Sequence, residues 1–158
     1  MAIFQNILVG LDGSKDSYEA LNYASKIAVD QDAKLTVLYV ITVDYIKQTY
    51  KGEEEIKKSI SQVDDILLLQ ARTEEIGKAI FQKAKEFLDK CPKKIDYKLK
   101  MRNGNPRFEF FDEIMGNGYD LCVLGYECAS ASFSSVFGST WDYLLKNTKI
   151  PILLIRAP

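Results

Sequence analysis

Two stretches of the chain carry residue types that could handle a phosphate. The first is DGSKDS, Asp12–Ser17; the second is LGYECASASFSSVFGST, Leu124–Thr140, serine-rich and bounded by Gly125 and Gly138. Glycines at such positions let backbone N–H groups approach phosphate oxygens, and a helix starting just after them adds the positive end of its dipole. Simpler roles compete. Asp12 could cap a turn, and Ser139 followed by Asp142 is what an ordinary helix start requires. The chain has no histidine, so Ser-His-Asp and Cys-His relays, His zinc ligands and an imidazole base are all excluded. No strong catalysis is expected. Cys91, Cys122 and Cys128 form no C-x-x-C pair and leave an odd count, which argues for reduced thiols. Cys122 reads as a core residue and Cys91 as a helix-end residue, leaving Cys128 as the thiol near a candidate site.

The flanking sequence supplies the elements that would position these stretches. NILVGL, Asn6–Leu11, is the short apolar run of a strand buried on both faces. After the DGSKDS turn, Ala20, Leu21, Ala24, Ile27 and Ala28 recur at helical spacing, with Ser14 or Asp16 as N-cap. KLTVLYVI, Lys34–Ile41, is a second strand. Residues 42–91 read as an irregular or partly helical excursion followed by one long amphipathic helix, with Ile76, Ile80, Ala84, Phe87 and Leu88 on its apolar face. IDYKLKM, Ile95–Met101, alternates like a strand near a sheet edge, and RNGNP follows as a loop. A short helix around Phe108–Met115, a buried strand in YDLCVLG, a helix in STWDYLLKN and a last strand in PILLIR complete the chain. Trp141, Tyr143 and the Phe108–Phe111 cluster are expected to pack against the sheet.

Such alternation implies one domain over residues 1–158, built on a parallel sheet with helices on both faces and right-handed crossovers. Ligands of open sheets of this kind bind beyond the carboxyl ends of the strands, where the winding reverses. Both phosphate-handling stretches fall there. A net charge of −1 supplies no field for nucleic acid, and the longest apolar runs, such as ILLL at Ile66–Leu69, are far short of a membrane span. MAIFQNILVG lacks the profile of a signal peptide, so the expectation is a cytoplasmic protein with neither nucleic acid nor membrane as partner.

NILVGLDGS, LYV, NGNP, YDLCVLG, the spacing G-x-x-C-x9-G-S and IPILLIR together make the chain resemble the universal stress protein family, least so across residues 42–91. The resemblance implies a three-layer α/β/α sandwich with an open five-stranded parallel sheet in order 3-2-1-4-5, the adenine nucleotide alpha hydrolase-like arrangement. ATP-binding members of that family carry G-x-x-G-x9-G-[ST]. Here the positions are Gly125, Cys128, Gly138 and Ser139, with the spacing intact and cysteine replacing the middle glycine. Carried over, the resemblance places adenine near Gly10, Asp12 and Val40, ribose near Leu124 and Gly125, and phosphates at Cys128, Gly138, Ser139 and Thr140. The ligand it implies is ATP or AMP, with Mg²⁺ or Mn²⁺ bridging the phosphates.

The family also pairs through its last strand. An edge strand ILLIR beside exposed apolar side chains gives a physical reason for such a homodimer. The alternative is a homodimeric interaction protein of the same fold with a degenerate site that does not take ATP. Charge bears on the choice: from Phe108 to Leu145 there is no lysine or arginine, whereas Glu109, Asp112, Glu113, Asp120, Glu127 and Asp142 are acidic. A triphosphate there would rely on backbone dipoles, a metal and Lys15, so weak binding or a less charged nucleotide is expected. DGSKDS is also similar to the S-G-G-x-D-S loop of ATP pyrophosphatases, with Asp12 for the first serine and Ser14 for the second glycine.

Overall fold

The computed structural model describes residues 2–42, 60–126 and 140–158, with side chains left aside over 60–72. The strands are β1 (Asn6–Gly10), β2 (Lys34–Ile41), β3 (Tyr97–Asn103), β4 (Leu121–Gly125) and β5 (Ile152–Ile155). The helices are α1 (Lys15–Gln31), α2 (Ile60–Asp89), α3 (Pro106–Asn117) and α4 (Thr140–Asn147). All pairings are parallel and the order is β3-β2-β1-β4-β5. The chain thus starts in the middle of the sheet, winds outward to β3, then crosses back to β4 and β5. That reversal puts the carboxyl ends of β1 and β4 side by side.

Alternation along the strands divides the core between the two faces. Ile7, Val9, Leu35, Val37 and Val123 pack under α1 and α2, and Leu8, Leu38, Cys122 and Leu124 pack under α3 and α4. Burial of apolar side chains on both faces is why β1 reads as an unbroken apolar run. Cys122 is fully buried and its thiol is pushed up to about 12 by that burial. Cys91 ends its helix, with Sγ–H donating to the Phe87 carbonyl.

Two boundaries and one helix face differ from the pattern-based expectation. β3 starts at Tyr97 and runs through Arg102 and Asn103, because β2 continues to Ile41 and offers pairing partners that far. α3 starts at Pro106, where proline's fixed φ suits the first turn and Asn105 accepts the Arg107 N–H. On α2 the buried stripe is Gly77, Ile80, Ala84 and Leu88, whereas Ile76 and Phe87 are exposed. β3 lies at the sheet edge, as its alternation predicts.

Candidate functional site

The turn after β1 is built by its own polar side chains. Asp12 Oδ1 accepts the Ser14 N–H at 2.9 Å, and Ser14 Oγ accepts the Ser17 N–H at 3.1 Å as the N-cap of α1. Ser17 Oγ in turn donates to the Ser14 carbonyl and accepts the Asp12 N–H. Gly13 has φ +87°, a left-handed conformation that only glycine adopts cheaply. The hydroxyl of Ser14 is therefore spent on the helix. Of the two N-cap choices left open by the sequence, Ser14 is the one realised.

Two glycines let the neighbouring elements close on this turn. A Cβ on Gly10 would lie 2.7 Å from both Leu124 Cδ2 and Phe110 Cζ. A Cβ on Gly125 would lie 2.9 Å from the backbone of Asp16 and of Ser17. The end of β4 thereby sits directly against the first turn of α1. Asp16 Oδ1 also accepts the Ala157 N–H at 2.8 Å, which ties the same turn to the end of β5.

Between these parts lies a cavity of about 180 Å³ at the carboxyl ends of β1, β2 and β4. Gly10, Asp12, Val40, Leu124, Gly125 and Thr140 all line it. Cys128, Gly138 and Ser139 lie outside the described residues, as does Glu127. The wall also includes Ser17, from the Asp12–Ser17 stretch, and Thr42, Pro106, Phe110 and Trp141, which the sequence did not point to as site residues. Phe110 and Trp141 do pack in the core cluster under α3 and α4, as expected, and they turn a second edge to the cavity. Pro106 was read as part of the RNGNP loop, and it starts the helix that carries Phe110. Lys15 is exposed and does not line the cavity.

Among the described lining residues Asp12 is the one carboxylate. The Tyr18 and Tyr39 hydroxyls are held above the ordinary tyrosine range, first by burial and then by the negative charge of Asp12. Among the described lining residues there is no lysine or arginine. Apolar walls with a few polar groups suit a flat, largely uncharged body such as a base and sugar better than a chain of phosphates.

A match to the Universal stress protein family model runs over residues 3–156. The chain belongs to the universal stress protein family. A curated universal stress protein of Methanocaldococcus jannaschii is 25% identical over 157 residues, covering 99% of this chain and 84% of that one. The solved structure of UspA from Lactobacillus plantarum superposes with a TM-score of 0.79 at 22% identity, covering 99% of this chain and 100% of the other. A universal stress protein in complex with cAMP superposes with a TM-score of 0.63 at 20% identity over 97% of each chain. A family protein from Arabidopsis thaliana with AMP bound gives a TM-score of 0.60 at 12% identity, over 98% of this chain and 92% of that one. The sheet order expected of the family is the order observed.

In this universal stress protein four of the described acidic residues between Phe108 and Leu145 are engaged by donors of their own. Glu113, 1% exposed, accepts from Lys100 Nζ at 2.7 Å, Arg102 Nη1 at 2.9 Å and the Tyr119 hydroxyl at 2.8 Å. Burial pushes its carboxyl up, but those three donors outweigh it and hold the group below the usual glutamate value. Glu109 pairs with Arg102 at 2.6 Å, Asp120 accepts the Gln5 and Asn6 N–H groups, and Asp142 pairs with Lys146. The cations facing Glu109 and Glu113 come from β3, just before the acidic run, and the one facing Asp142 comes from α4 itself. Electrostatic repulsion from Glu109, Glu113 and Asp120 is thereby corrected out of the account.

Proposed function

We propose that this protein is a nucleotide-binding member of its family that takes an adenine nucleotide in the cavity beyond β1, β2 and β4 and acts without strong catalysis of its own. One observation carries the reading: residues from Gly10 to Thr140, drawn from separate parts of the chain, meet around a single cavity at the point where the winding reverses. Structures of related proteins that hold cAMP, AMP and dAMP support the class of ligand. In this reading adenine lies against Val40 and Gly10 near Asp12, ribose against Leu124 and Gly125, and the phosphate toward Thr140 and the N-terminus of α4.

Catalysis would need a base, a nucleophile or a resident metal. The chain offers no imidazole, and among the described residues no three His, Cys, Asp or Glu side chains converge to hold a metal. In this reading Mg²⁺ or Mn²⁺ enters as a companion of the ligand's phosphates. Occupancy then serves to change shape or partner choice. The partner we propose first is a second copy paired through β5, since β5 is an edge strand whose Ile152, Leu153 and Leu154 are only partly buried.

Calorimetric titration with AMP and ATP, each with and without Mg²⁺, tests the reading against a Val40→Trp variant that fills the cavity from its partly exposed edge. Saturable heat that disappears in the variant is the expected result. No heat at millimolar nucleotide would overturn it. The remaining reading would then be a homodimeric interaction protein whose site has degenerated.

A further inference from the structure

We propose that Tyr39 is a positioning residue of this cavity: seated on Gly77 and tied to the Thr73 carbonyl, it makes α2 the outer support of the wall against which the nucleotide lies. Occupancy of the cavity and docking of α2 then depend on each other. The inference rests on the nucleotide reading above and adds to it the regulation of the same site.

Tyr39 and Val40 are neighbours near the carboxyl end of β2, and strand alternation turns their side chains to opposite faces of the sheet. Val40 packs with the cluster under α3 and α4 and Tyr39 with the cluster under α1 and α2, yet both line the cavity. The Tyr39 hydroxyl donates to the Thr73 carbonyl at 3.2 Å, and its ring meets Phe81 edge-on, with centroids 6.3 Å apart and planes inclined by 79°. Between these two contacts lies Gly77. A Cβ there would stand 2.7 Å from Tyr39 Cε1 and 2.8 Å from both Tyr39 Cδ1 and Met101 Cε. Glycine weakens a helix interior, so its place in the middle of α2 needs a packing reason, and the ring supplies it.

A second contact joins α2 to the same site. A Cβ on Gly13 would lie 3.1 Å from Ile80 Cδ1, so the turn that brings Asp12 to the cavity also rests on α2. Thr73, Gly77 and Ile80 stand at i, i+4 and i+7, on one face of the helix. That face backs the cavity at the end of β2 and at the turn after β1, although these three residues are not part of its lining. A ligand packed on Tyr39 therefore opposes movement of the ring off Gly77, and loosening of α2 frees the ring to leave the wall. By linkage the two effects are equal in free energy.

The test measures AMP affinity by calorimetry in the full-length protein, in Gly77→Ala, Tyr39→Phe and Tyr39→Leu, and in Tyr39→Leu combined with Gly77→Ala, and follows backbone amide exchange with and without AMP. Gly77→Ala pushes on the ring from outside the cavity and should weaken AMP binding about fivefold or more, and Tyr39→Phe about threefold. In the Tyr39→Leu background Gly77→Ala should change affinity by less than about twofold, since the ring that it displaces is gone. AMP should slow exchange over residues 73–81 of α2 more than over residues 114–117 at the end of α3, and the difference should shrink in Tyr39→Phe. An unchanged affinity in Gly77→Ala or Tyr39→Phe, an effect of Gly77→Ala that persists in full without the ring, or equal protection of the two helices would each overturn the proposal while leaving nucleotide binding intact. Binding of no AMP to the unsubstituted protein would overturn both. Should Gly77→Ala fail to fold or Tyr39→Leu fail to bind, Tyr39→Phe and the exchange pattern still decide it.

Discussion

Adding one methyl group at Gly125 should do the opposite of adding it at Gly116. At Gly125 the new Cβ would meet the Asp16 carbonyl carbon, Asp16 Cβ and the Ser17 nitrogen, all at 2.9 Å, where ordinary contact begins near 3.4 Å. Two of these are backbone atoms in the first turn of α1, pinned by the Ser14 cap and by the Ala157 contact to Asp16. The helix cannot give way as a side chain could. Overpacking of this kind costs about 1–3 kcal/mol. At Gly116, on the exposed side of α3, nothing lies within 4 Å of the added atom, and alanine in a helix gains about 0.5–1 kcal/mol over glycine. Urea denaturation of Gly125→Ala, Gly116→Ala and the unsubstituted protein measures both, provided the slopes agree. The prediction is a lower midpoint for the first variant and an equal or higher one for the second. A Gly125→Ala protein as stable as the unsubstituted one would refute the close approach of β4 to α1, and with it the geometry of the cavity floor.

Other outcomes follow from the polar contacts. Glu113 has a folded carboxyl value below its ordinary one, so its stabilisation is full above the ordinary range near about 4.3 and is lost as pH falls through the folded value. Glu113→Gln should cost about 1–3 kcal/mol near neutrality, toward the lower end because Lys100 and Arg102 are about a third exposed. An acid-unfolding series should show that gap closing below the ordinary value; a constant gap down to strong acid would argue against the network. Ser14→Ala should cost about 1 kcal/mol through loss of the cap, and Ser14→Asp should restore most of it, as thermal melts would reveal. Sedimentation should give the mass of two chains, whereas a single-chain mass at every concentration would exclude the β5 pairing.

The sheet was legible because its signals are local. Runs such as NILVG and KLTVLYVI name buried parallel strands by themselves, and Ser14 marks the start of α1, whereas Asn105 and Pro106 were read as loop and turn out to start α3. The site was legible in part for a different reason. Gly10, Asp12 and Gly125 sit at strand ends, which topology brings together whatever the loops do. Trp141 and Phe110 were not legible as cavity walls, since an aromatic residue at helical spacing looks the same whether one edge or both face the core. Ile76 and Phe87 were misplaced because the helical stripe shifts by one residue to put Gly77 against Tyr39.

Charge was the least legible property, and the reason is physical. A run of carboxylates suggests repulsion only if nothing opposes it, and here the opposition comes from another element just outside the run. Strand pairing lays Lys100 and Arg102 along the edge of the sheet, where α3 presents Glu109 and Glu113 to them. The same logic applies at the cavity, with the opposite outcome. There Asp12 faces largely apolar walls, and no lysine or arginine is among the described lining residues. The end of β5 also reaches the cavity floor, because Ala157 holds Asp16 and Asp16 abuts Gly125. A partner that displaced the end of β5 would break the Ala157 contact to Asp16, in the turn that packs against Gly125 of the cavity wall.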